Sequence, residues 1–202
     1  MKFQSKLKLV AAFVTGIAAV GSVHAADATI NASVTVNNTI DLTVVAPLDF
    51  GTIAAFGNSN TTLSAATLVI PADPAAAAVT TDDASGDARI IVLTPGAPAD
   101  ISVVGAAPNT LLTVAVTAAD PALSDPAGIA TDGFTMSGFT KYAYLEGNNQ
   151  TFGSTTDATG ALGMNIGATL STIAMAGGAA SDATVAYGDA TFTGVIEVAV
   201  NY

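Results

Sequence analysis

The chain has 202 residues, half of them apolar, with sixteen acidic and five basic side chains, a formal charge of −11, and neither cysteine nor tryptophan. Its one histidine, His24, and three of its basic residues, Lys2, Lys6 and Lys8, fall in the first 25 positions, so the rest of the chain sets only Arg89 and Lys141 against all sixteen carboxylates. Beyond position 25 these absences exclude Ser-His-Asp and Cys-His nucleophilic machinery, thiolate or imidazole metal sites and disulfides, while an acidic field without a basic cluster excludes nucleic acid and disfavours an anionic membrane surface.

In chain order, Lys2, Lys6 and Lys8 precede the apolar run Leu9 to Val20 and the tripeptide Val23-His24-Ala25. A basic start, a short apolar stretch and small residues before a cut are the features of a secretory signal peptide, and the run is too short and too rich in Ala and Gly to span a bilayer. Residues 1–25 are therefore expected to be removed between Ala25 and Ala26. Residues 26–202 are expected to fold as one domain in the periplasm, on the cell surface or outside the cell, with no transmembrane span.

The apolar residues are mostly Ala and Val, mixed with Thr, Ser and Gly, which favours pleated sheet over helix. From Thr29 the chain alternates strictly, with Ile30, Ala32, Val34 and Val36 on one face and Thr29, Asn31, Ser33 and Thr35 on the other. Shorter strands are expected near Asp41–Val45, Leu63–Ile70, Ala88–Leu93, Asp100–Val104, Leu111–Thr117, Gly133–Thr140, Ile166–Ala174 and around Val185. The clearest pattern closes the chain: Phe192, Gly194, Ile196, Val198, Val200 and Tyr202 alternate with Thr191, Thr193, Val195, Glu197, Ala199 and Asn201, predicting one buried face. Connections rich in Pro, Gly, Asn and Asp are expected at Gly57–Asn60, Pro71–Asp87, Asp120–Gly133 and Gly147–Gly160, with a short helical turn at Pro74–Ala78.

Among candidate sites, Asp82, Asp83 and Asp87 supply three carboxylates within six residues, a weak calcium candidate. An EF-hand needs Gly at the sixth position and Glu at the twelfth, and this loop has neither spacing, so a solvated acidic turn is the expectation. Asp120 and Asp125, each followed by proline, read as turn initiators. Glu146 precedes a Gly-Asn-Asn turn and Glu197 lies on the outward face of the last strand, so neither forms an acid/base pair. Tyr142 and Tyr144, beside Lys141, could stack a sugar, although alternating tyrosines in a strand usually pack. No catalytic residue, metal or cofactor is expected.

The segment Pro47-Leu48-Asp49-Phe50-Gly51-Thr52-Ile53, together with the closing run Phe192 to Tyr202, resembles the bacterial family called domain of unknown function 4402. Met164-Asn165-Ile166-Gly167-Ala168-Thr169-Leu170 is similar to a Gly-rich strand of that family, while the Ala-rich insert after Pro71 is unusual for it. The end of the chain also resembles chaperone-usher pilins, which close on an alternating strand with a near-terminal Tyr and a Gly about fourteen residues earlier, as Tyr202 and Gly188 do here. The terminal position of Tyr202 and the lack of a disulfide depart from that group.

The resemblance implies an all-β, immunoglobulin-like β-sandwich of the pilin and adhesin type, exported and without enzymatic activity. The implied function is a fimbria-like or cell-surface subunit that assembles by β-strand addition. Its partners would be copies of itself or a related surface subunit, with a periplasmic chaperone. The position and strict alternation of Thr29–Val36 suit either an exchangeable strand whose Ile30, Ala32, Val34 and Val36 fill a groove in a neighbouring subunit or an ordinary first strand packed within its own domain. The alternative is a secreted or surface binding module for a carbohydrate or protein ligand.

Overall fold

A computed structural model describes residues 33–34, 39–58, 65–84, 86–128, 133–143, 148–150, 154–173 and 184–202. By its contacts the chain divides into two units, Met1–Val36 and Asn37–Tyr202. Of the first, only Ser33 and Val34 are described; neither lies in a strand. The remainder of the alternating segment and the Ala25–Ala26 junction lie outside the described residues.

The second unit is all-β, with no helix among the described residues. Its strands are β1 (Asp41–Ala46), β2 (Asp49–Asn58), β3 (Thr67–Ile70), β4 (Val79–Thr81), β5 (Arg89–Ala97), β6 (Ala99–Val104), β7 (Leu111–Ser124), β8 (Gly133–Ala143), β9 (Asn148–Gln150), β10 (Ser154–Thr155), β11 (Leu162–Thr172), β12 (Thr184–Ala186) and β13 (Thr193–Asn201). The larger sheet runs β1-β6-β11-β8-β7-β13, with β3 on the far half of β11, β4 beside β3, β9 beside β8 and β10 beside β7; the smaller runs β12-β2-β5. Every pairing is antiparallel.

β11 organises the unit. β8 flanks it on one side, and β6 and β3 share the other, end to end. Along this central strand Leu162, Met164, Asn165, Ile166, Ala168, Leu170 and Thr172 are all buried. Its two halves feed two apolar clusters. Leu162, Met164 and Ile166 meet Ile101, Val103, Leu112 and Val114 in one. In the other, Ala168 and Leu170 meet Leu68, Ile70, Phe134 and Met136 from the large sheet and Phe50, Ala55 and Ile90 from the small one. The two sheets therefore face each other across the second cluster, while the buried members of the first come from strands of the large sheet and the turn after β6. Burying one Leu or Ile side chain contributes roughly 1.5–3 kcal/mol, and in a chain without cysteine these clusters carry the fold.

Several expectations need correction. Asp49–Asn58 falls outside every expected strand, and its end overlaps the expected loop at Gly57–Asn60, yet it is a ten-residue strand, because β5 and β12 pair with its backbone on both sides. The expected loops at Pro71–Asp87 and Gly147–Gly160 contain the short strands β4, β9 and β10. β7 runs through Asp120 and Pro121 to Ser124, and its ladder with β13 is irregular on either side of Val195. Such irregularities let a strand carry a proline, which has no N–H to donate. Pro74–Ala78 forms one turn, closed by Ala76 N–H donating to the Asp73 carbonyl (3.0 Å) and Ala75 N–H donating to Asp73 Oδ1 (2.9 Å). Four alanines cannot repay the cost of starting a helix.

Candidate functional site

The last strand was expected to bury one face, and it buries it only by half. Ile196, Val198 and Val200 are partly covered, Gly194 and Tyr202 are exposed, and Phe192 is partly covered beneath the aromatic group it forms with Phe134 and Tyr187. The reason is a groove of about 1150 Å³ beside it. One wall is β13, through Ile196 and Val198. The other is β1, through Leu42 and Val44, and Leu48 and Phe50 lie along it where the chain passes from β1 into β2. Val44 is 62% exposed although it faces this apolar hollow.

Both walls are sheet edges. Among the described residues β1 pairs with β6 and β13 with β7, so both are edges of the large sheet, and side chains of both line the same groove. Counting along β1-β6-β11-β8-β7-β13, each antiparallel to the next, the two edges run in opposite directions. Leu42 and Val198 pack against one of the clusters below, and Ile196 against the other.

The ends of the groove are fixed from within the unit. At one end Tyr187 Oη donates to the Gly133 carbonyl (3.0 Å) and accepts from Ile173 N–H (2.9 Å), tying the approach to β13 onto β8 and β11. Phe134 stacks on Tyr187 at 4.5 Å and meets Phe192 edge-on at 5.0 Å. At the far end of β13, Tyr202 Oη accepts from Ala107 N–H (3.2 Å). The sequence pattern marked Phe192 and Tyr202 but not their partners. Tyr187 stood beside an expected strand without any signal that its hydroxyl would bridge two others.

The acidic loop does not converge. Asp83 is buried and Asn58 Nδ2 donates to its Oδ2 (3.2 Å), Asp87 accepts from Thr184 Oγ1 (3.3 Å), and Asp82 is exposed. Among the described residues no three carboxylates, histidines or cysteines come together as a metal site. Lys141 is half-buried and donates from Nζ to the Val114 carbonyl (2.6 Å), Tyr142 is half-buried in β8, and Glu197 is exposed on β13. Tyr144 and Glu146 lie outside the described residues. Asp125 Oδ1 accepts from Ala127 N–H (2.8 Å), a turn as expected.

Val34 is 86% exposed. It is the one apolar member of the alternating N-terminal face that is described, and its side chain is available. No family model, curated protein or solved structure matches the chain.

Proposed function

We propose that this chain is an exported, non-catalytic structural subunit of a fimbria-like or cell-surface assembly, an immunoglobulin-like β-sandwich of the pilin type that joins its neighbours by β-strand addition. The observation that carries this reading is the apolar groove between the outer edges of β1 and β13. A lone strand edge is a hazard that proteins usually blunt with charge, proline or a covering loop. Here the two edges border one hollow with apolar side chains at its base, the form expected of an acceptor site. The N-terminal features of a signal peptide and the likeness of Pro47–Ile53 and Phe192–Tyr202 to domain of unknown function 4402 support the same reading.

The test is negative-stain microscopy of material sheared from the surface of cells that make the chain, with Val44→Asp as the comparison. Val44 is largely in solvent, so a carboxylate there leaves the isolated fold intact and places a charge where an added strand would bury it. Filaments from the unaltered chain and none from Val44→Asp, with unchanged circular dichroism, are expected. Dispersed monomers from the unaltered chain would overturn the proposal.

A further inference from the structure

We draw no further inference here: the strongest candidate, the polar cluster of Asp100, Asn165 and Tyr142 that lie opposite one another on β6, β11 and β8, carries nothing because the side-chain oxygen that would mark it as a site, Asn165 Oδ1, which has no hydrogen-bond partner among the described residues, is buried out of a ligand's reach.

Discussion

Gly51 shows why the Leu-Asp-Phe-Gly run has its composition. Its φ is +81°, and a Cβ there would run into the Thr94 carbonyl on β5, so both the backbone conformation and the closeness of the neighbouring strand require glycine. Asp49 Oδ1 accepts Gly51 N–H at 2.8 Å and secures the bend that turns Phe50 into the core. Gly51→Ala is expected to lower the melting temperature by several degrees or prevent folding, measured by thermal unfolding in circular dichroism. Asp157 does comparable work before β11. Its carboxylate accepts from the Thr159 hydroxyl (2.7 Å), Thr159 N–H (2.8 Å) and Ala161 N–H (2.9 Å), and these bonds, the Thr159 hydroxyl first, hold its pKa below the ordinary carboxylate value. A carboxylate whose folded pKa is depressed adds stability that is present above its unfolded value and lost as pH falls through the folded one. Asp157→Ala is therefore expected to lower the melting temperature near neutral pH, and the gap from the unaltered chain should close as both are acidified below the ordinary carboxylate range. A gap that persists at low pH would show that the side chain acts by packing instead.

At the scale of the element, the contrast between β11 and β13 is the most telling. Ile166 is fully buried, and truncation to Ala is expected to cost about 2–5 kcal/mol, read from denaturant unfolding. Ile196 is only partly covered, so Ile196→Ala should cost the isolated chain clearly less while weakening any strand bound in the groove. A similar loss in both would mean the groove is closed in solution. The acidic loop admits a simpler check: with Asp82 exposed and Asp83 turned toward Asn58, a chelator is expected to leave the melting temperature unchanged. A drop of many degrees would reveal an ion held there.

These elements also show what the sequence could reveal. The alternation of Phe192 to Tyr202 named β13 and its inward residues, because a strand with one apolar and one polar face has a period of two. It could not show that this face lacks a cover, since burial depends on what lies opposite. β2 went unread because Gly51, Ala54, Ala55 and Gly57 are poor strand formers, and pairing with β5 and β12 overrides that preference. The groove required both strands and their relative placement, so its inner residues were legible and its existence was not.

For the whole molecule, charge decides how copies should meet. A net charge of −11, with all sixteen acidic residues beyond the first 25 positions, means that two copies repel at long range. The proposed contact itself is mostly apolar: Thr29 to Val36 carries no charged residue, and the groove, walled by Leu42, Val44, Ile196 and Val198, has Asp49 and Asp189 as the charged residues of its lining. Salt should then act on the approach and not on the bond. Raising ionic strength from about 0.01 M to about 0.15 M shortens the screening length from about 30 Å to about 8 Å, so association should quicken while the dissociation rate, governed by apolar burial and backbone pairing, stays nearly constant. Light scattering after a salt jump measures the first, and dilution of preformed assemblies at the two salt concentrations measures the second. If salt slows association or hastens dissociation, attraction between charges holds the copies together, and the apolar groove is not where they join.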